Sequence, residues 1–542
     1  MHSLKLLAKV EHLPQWTQFI TACAQEQGLP TKRIRDIELA LEEALVNVCQ
    51  YAYPETAGEV EVACTVDAQQ RFIIDIVDQG IPFDPLSLDA PALTDDLANR
   101  QVGGLGVFLI RRLMDDVSYR RADDQNILQL SDVMPSPKYG LCLIFFFVSI
   151  CQLVYAETIT IGMSAAFTGP SESLGIELYR GIMTYLGYIN SQGGIHGKKI
   201  VIKAYDDGYN PIPAIENTIK LIEKDNVFLL FGYVGTPTVT RALPLLKIYR
   251  DQFAHLFFPF SGAQPQREPP YDQFVFNLRA SYRQETEGLV DHFMAIGRKR
   301  IGVFYQADAY GRSGWDGVRR ALDKYGLSIV GEATYRRGTD YAQSLRQQVN
   351  MLRNAQPDAI VSIGAYAACA AFIREARDTG WEVPIANVSF VGSESLLSLL
   401  LQSGQTTGRD YTANLINSQV VPSYEDTSLA AVREYRDLIA RYNPMPPSEL
   451  MQGTYQPLRY SFVSFEGYLN AKLLVEILRR MGPTPEKARI KEVVEGVKNY
   501  DLGIDAPVSF GPHKHQGLNA IYYTMVENGT FVPLTNWERW QK

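Results

Sequence analysis

A chain of 542 residues, 46% apolar and 21% charged, is too long for one ordinary core and has the balance of folded protein, which excludes disordered and fibrous classes. Its net charge of −8 gives no whole-chain attraction for nucleic acid, and no nucleic-acid partner is expected. Mixed Lys/Arg and Asp/Glu along most segments read as solvated helix faces. The cysteines, Cys23, Cys49, Cys64, Cys142, Cys151 and Cys369, include no CxxC pair and no Cys/His cluster at metal-ligand spacing. After Cys151 only Cys369 remains, so the long C-terminal region must be stabilised by burial and not by an internal disulfide.

Residues 1–132 read as a small α/β domain. Across 34–53, Ile37, Leu41, Ala44, Leu45 and Val48 recur at helical spacing. Glu59–Val66 alternates as a strand, and 72–77 is a second, more buried one. Asp78-Gln79-Gly80-Ile81-Pro82-Phe83 follows, and Gly103-Gly104-Leu105-Gly106 then opens an apolar helix over 107–114.

The ordered set Glu43-Ala44-x-x-Asn47, Asp78-x-Gly80 with Phe83, and Gly103-Gly104-x-Gly106 resembles the ATP-binding domains of the GHKL superfamily, specifically the anti-sigma-factor serine kinases, over nearly all of 1–132. The resemblance implies an α/β sandwich that binds ATP and Mg²⁺. Glu43 would be general base for the attacking serine, and Asn47 would ligate Mg²⁺ through its carbonyl oxygen. Asp78 would accept from the adenine amino group, with Gly80 beside it. The turn of Gly103, Gly104 and Gly106 would bring backbone amides to the phosphates. A sigma factor and an anti-sigma-factor antagonist would be its partners. The physics agrees: Glu43 and Asn47, four residues apart, share a helix face, an amide oxygen suits Mg²⁺, and a glycine turn entering a helix offers N–H groups and a positive dipole end to phosphate.

Residues 139–156, YGLCLIFFFVSICQLVYA, follow Lys138 and end in a small residue, the pattern of a secretory signal peptide. The uncharged part spans roughly 24 Å as a helix, shorter than a hydrocarbon core of about 30 Å. Ile150 before Cys151 speaks against a lipoprotein site. The segment 133–156 is therefore signal-peptide-like or transmembrane, in an unusual internal position. Either two neighbouring coding regions are joined, a second beginning at Met134, or one chain crosses the membrane once. The short run favours the first. Lys138 and Arg120-Arg121 fit a cytoplasmic head in both cases, with the C-terminal part periplasmic or extracellular.

From 157 onward strands and helices alternate. Strands are expected at 158–163, 199–205, 227–232 and 254–260, with helices at 174–191, 212–224 and 238–249 between them. A second run carries strands at 274–279, 300–305, 328–335, 359–364 and 388–391. Helices over 428–442, 461–481 and 485–498 and strands over 520–527 and 530–533 follow. Two such α/β runs imply two lobes with parallel sheets: the first about 157–280 plus returning segments, the second about 281–415 plus the C-terminal strands.

The pieces Thr160-Ile161-Gly162-Met163, Thr168-Gly169-Pro170, Gly193-Gly194-Ile195-x-Gly197-Lys198, Gly232-x-x-Gly235-Thr236-Pro237, Phe260-Ser261-Gly262-Ala263, Tyr310-Gly311 and Val391-Gly392-Ser393-Glu394 together resemble type I periplasmic binding proteins of the branched-chain amino-acid and amide class, the receptors of ABC importers. The resemblance implies a ligand between the lobes, at the C-terminal ends of parallel strands, and an ABC permease as partner. Thr236 and the segment Ser261, Gly262 and Ala263 would hold a carboxylate. Glu394 would pair with an α-ammonium, and Tyr310 and Tyr366 would wall the ligand. No cofactor is expected for this part. Leucine-like and other amino acids, amides and urea stay open as ligands. His513 and His515 lie near no carboxylate or thiol in sequence and read as a solvated loop. No Gly-x-Ser-x-Gly elbow or triad histidine suggests an enzyme here.

Overall fold

The alternating run Glu59–Val66 is a strand over its full expected length. It lies second in a five-stranded antiparallel sheet ordered His2–Leu7, Glu59–Val66, Arg71–Asp78, Gln125–Val133, Asp116–Ala122. The structure, a computed structural model, describes residues 2–53, 58–87, 105–134 and 158–542, and the chain divides into two units, Met1–Gln152 and Leu153–Lys542. In the first unit, helices Leu13–Glu26, Thr31–Asn47 and Leu105–Leu113 bury Trp16, Ile20, Ile37, Leu41 and Ile110 against Val60, Val62 and Ile74 of the sheet. The helix expected over 34–53 begins earlier and passes at Val48–Ala52 into one turn of π-helix. The last strand continues to Val133, and Met134 N–H donates to Gln70 O at 3.1 Å. The apolar run 139–156 lies outside the described residues, among which no helix is long and apolar enough to cross a membrane.

The second unit contains two large sheets. The first runs Val275–Phe276, Leu256–Phe257, Leu230–Phe231, Thr158–Ala165, Lys199–Asp206, all parallel. Three of these strands are two residues long where six or seven were expected; left-handed Gly232 (φ 63°) and Phe258 (φ 50°) end two of them. The second sheet runs Gly331–Tyr335, Ile301–Gln306, Ala359–Ile363, Ile385–Asn387, Leu415–Gln419 in parallel, and then Tyr522–Glu527 and Thr530–Pro533 antiparallel. The strand expected at 388–391 is instead a 3-10 turn, Ser389–Val391, ending at Gly392 in the left-handed region. Ser389 N–H is drawn to Glu285 Oε2 at 2.8 Å, which takes it out of a strand ladder.

Helix Phe462–Met481 packs along Glu172–Ser191, as does Ala430–Tyr442, so the chain returns to the first lobe after Gln419. It crosses between lobes three times: after Phe276, after Gln419, and after Val508. The first and third crossovers lie side by side, Asn277 N–H donating to His515 O and Gly517 N–H to Asn277 O, both at 2.8 Å.

Charge at this hinge corrects the reading of charged residues as solvated faces. Arg279, Glu285 and Glu466 are buried. The Arg279 guanidinium lies 3.6 Å from Glu285 Oε1 and 3.6 Å from Glu466 Oε1, and donates to Ser389 Oγ. Ser418 Oγ–H reaches Glu285 Oε2 at 2.7 Å. Even so, burial lifts the Glu466 carboxyl to about 7. One of the two loop histidines also differs from expectation: His515 packs against Phe276 with ring centres 4.2 Å apart and bonds Glu495 Oε1 at 3.0 Å, while His513 is exposed as expected.

Candidate functional site

Between the lobes, loops leave the C-terminal ends of parallel strands and converge. From the first lobe, Gly235 at φ 102° turns the chain into helix Thr236–Ile248, setting buried Thr236 at its first residue. The Thr236 hydroxyl lies 2.9 Å from Ser261 Oγ and donates to Tyr282 OH at 3.4 Å. Gly262 admits no side chain, since a Cβ there would fall 2.5 Å from the Tyr282 ring. Ala263 N–H points to Ser261 Oγ at 3.3 Å. Behind this loop, Arg267 donates to Ala263 O at 2.7 Å and Ser261 O at 3.3 Å. Burial, reinforced by neighbouring Arg279, lowers the Arg267 pKa to about 9.

From the second lobe, Tyr310 is fully buried. Its ring centre lies 5.2 Å from that of Tyr282 and 4.7 Å from that of Phe390, and its hydroxyl points to Gly364 O at 3.4 Å. Phe390 meets Phe260 of the first lobe at 5.2 Å. Tyr209, held at φ 60° beyond Asp207, reaches across so that Gln306 Nε2–H donates to its hydroxyl at 3.2 Å. Asp207 accepts from Ser164 Oγ–H at 2.7 Å and Tyr209 N–H at 2.9 Å, and burial lifts its carboxyl to about 7.

Tyr366 and Glu394 belong to a neighbouring group. Tyr366 opens helix Tyr366–Asp378, and its hydroxyl accepts from Ser173 N–H at 3.4 Å. Glu394 lies in the first turn of helix Ser393–Thr407, and its Oε1 accepts from Phe462 N–H at 3.3 Å, at the start of a first-lobe helix. Its Oε2 is shielded from solvent without a hydrogen bond, and burial lifts the carboxyl to about 7. Thr236, Ser261, Gly262, Ala263 and Tyr310 thus come together directly, with Tyr366 and Glu394 on the adjoining helices. Tyr209, Phe260, Tyr282 and Phe390 were not anticipated. The turn Asp206-Asp207-Gly208-Tyr209 after a strand was the available signal for the first of these.

In the smaller unit, Glu43 and Asn47 are half-buried on one helix. The Asp78-Gly80 turn is fastened just beyond that helix, where Ile81 N–H donates to Ala52 O at 3.0 Å. A Cβ on Gly80 would lie 2.5 Å from that same oxygen. Asp78 is buried, its Oδ1 accepting from Gly80 N–H at 2.8 Å and Asn126 Nδ2–H at 2.9 Å. A carboxylate, an amide and a tight glycine turn at one helix end are a donor set that fits Mg²⁺ and a nucleotide. Gly103 and Gly104 lie outside the described residues, and Gly106 is the second residue of helix Leu105–Leu113.

Residues 158–530 match the family model described as periplasmic binding protein, and 6–131 match that of the histidine kinase-like ATPase domain. The chain is 25% identical over 236 residues to "Leu/Ile/Val-binding protein homolog 3" of Brucella melitensis biotype 1, an alignment covering 43% of this chain and 62% of that relative. It is 30% identical over 130 residues to "Serine-protein kinase RsbW" of Bacillus cereus (strain G9842), covering 23% of this chain and 80% of the relative. A solved structure, a possible leucine/isoleucine/valine-binding protein from Rhodopirellula baltica SH 1, superposes with a TM-score of 0.63 at 30% identity, covering 72% of this chain and all of that one.

Proposed function

Because the chain belongs, through residues 158–530, to the periplasmic binding proteins and carries a histidine kinase-like ATPase domain ahead of them, we propose that its larger unit is the solute receptor of an ABC importer. It captures an amino-acid-like or amide small molecule between its lobes, outside the cytoplasmic membrane, and presents it to an ABC permease. The observation that carries this reading is the pair of Thr236 and Ser261 hydroxyls at strand ends of the first lobe, met by the Tyr282 hydroxyl and the rings of Phe390 and Tyr310 from the second. Such donors suit a carboxylate or amide oxygen at a helix N-terminus. Glu394 supplies an acceptor for an ammonium, and the aromatic rings exclude water. Titration calorimetry of the full chain with valine, leucine and acetamide tests this. Binding of at least one, weakened about tenfold or more by Thr236→Val, supports the reading. Binding that survives Thr236→Val unchanged refutes this site.

The smaller unit acts, in this proposal, as a cytoplasmic protein serine kinase of the anti-sigma-factor kind, with a sigma factor and its antagonist as partners. Bound ATP with Mg²⁺ supplies the phosphoryl group and neutralises its charge. Glu43 takes the proton of the attacking serine, Asn47 offers its amide oxygen to the metal, and Asp78, fixed by Gly80 and Asn126, receives the adenine amino group. By the family resemblance, Gly103, Gly104 and Gly106 would bring backbone amides to the phosphates.

The signal-like pattern at 139–156 favours two products from joined coding regions, while the unbroken chain through it favours a single-pass sensor in which ligand closure regulates the kinase. Fractionated immunoblots of native cells with antibodies to 1–130 and 160–542 decide between them. One membrane band seen by both antibodies means a sensor, and two separate soluble bands mean two proteins.

A further inference from the structure

Between helices Ala430–Tyr442 and Phe462–Met481 the chain follows an irregular strap, relieved only by the 3-10 turn Ser448–Leu450. The strap is fixed to the first lobe by the buried pair Glu177–Arg180, 2.7 Å apart. Arg180 donates to Leu458 O and Asn443 Oδ1, both at 2.8 Å. Glu177 Oε1 accepts from Leu458 N–H at 3.0 Å and Tyr455 O–H at 3.1 Å. The strap thereby sets the Tyr455 hydroxyl 2.8 Å from Ser173 Oγ, which itself lies 2.6 Å from Ser395 Oγ of the second lobe.

The direction of this hydroxyl chain follows from chemistry. Burial raises the Glu177 carboxyl, but Arg180 donates to both of its oxygens and every other partner is a donor, so it stands as a carboxylate that only accepts and the Tyr455 proton goes to it. Tyr455 oxygen then accepts from Ser173, and Ser173 oxygen accepts from Ser395. Each hydroxyl has one arrangement, and the last bond crosses the cleft beside the Ser173 N–H to Tyr366 contact.

We propose that Ser173, oriented by Tyr455 from the strap, is the latch that holds the lobes closed and so sets how long a captured ligand stays. The inference rests on the capture reading of the cleft. A bond formed only in the closed state slows opening and leaves encounter with ligand unchanged. Tyr455 is a positioning residue, acting through Ser173.

The test is stopped-flow tryptophan fluorescence of the full chain with valine and leucine as probes. Ser173→Ala and Ser395→Ala are each expected to raise koff roughly fivefold to tenfold, the factor that one buried hydrogen bond contributes, with kon unchanged. The double variant is expected to go no further than either single one, and Tyr455→Phe to give a smaller rise. A koff within twofold of the parent, additive effects in the double variant, or a loss carried by kon would overturn the latch. Hydrogen exchange at the Ser173 amide in ligand-free protein separates the two readings. If neither probe binds the parent but Ser395→Ala speeds this exchange, the ligand class fails and the latch stands. If exchange is unchanged in Ser395→Ala, the latch fails whatever binds.

Discussion

Glu394→Gln separates a buried neutral carboxyl from a paired anion. Burial lifts this group from the ordinary glutamate value of 4.5 to about 7, so the folded state holds the proton more tightly than the unfolded chain. The stability this contributes is fully present below about 4.5 and is lost as pH rises through about 7. That interval corresponds to on the order of 3 kcal/mol, an upper figure because relaxation and water entry reduce it. Glutamine keeps an acceptor for Phe462 N–H and carries no charge. The ligand-free variant should therefore lie within about 1 kcal/mol of the parent at pH 5 and exceed it at pH 8 by up to about 3 kcal/mol. Other groups titrating in this range, Asp207 and Glu466 at about 7 and His255 at about 4, cancel in the variant-minus-parent difference. Urea unfolding followed by tryptophan fluorescence is the assay, since Trp315, Trp381, Trp537 and Trp540 lie in the larger unit and Trp16 alone in the other. With saturating valine the gain at pH 8 should shrink or reverse, because a ligand ammonium would pair with the parent carboxylate. Equal destabilisation at both pH values would refute the reasoning, for it would mean the carboxylate is already satisfied.

Arg279→Met strands Glu285 and Glu466 without their shared cation and should cost about 3–5 kcal/mol by urea midpoint at pH 8. Adding Glu466→Gln should recover part of that loss. Glu43→Gln should abolish phosphoryl transfer to a serine substrate, read with labelled ATP, while calorimetry shows nucleotide affinity unchanged; transfer at the parent rate would remove Glu43 as base.

Secondary structure was most legible where one face of an element sets its period. Thr530–Pro533 and Glu59–Val66 match their expected bounds. Apolar runs such as 254–260 announce burial and not ladder length, and a single left-handed residue, Phe258, cuts that strand to Leu256–Phe257. The cleft residues Thr236 and Ser261 stood out because they follow strand ends beside glycines. Phe390 was hidden in a run read as strand. Arg279, Glu285 and Glu466 were hidden for another reason: Glu466 sits far along the sequence from the other two, and only the crossing of the chain between lobes brings the three together. A charge pattern along one helix carries no information about a partner on another.

The order of strands in the second sheet has a consequence for synthesis. Leu415–Gln419 pairs on one side with Ile385–Asn387 and on the other only with Tyr522–Glu527. If folding proceeds in chain order, the five parallel strands therefore wait with a bare edge while the rest of the first lobe forms. The edge is covered only when the final hairpin emerges, and Lys542 N–H then closes onto Ile296 O at 3.0 Å. Until then the larger unit exposes a pairing edge open to chaperones or to another strand, and neither lobe is complete before nearly all of its chain is in place.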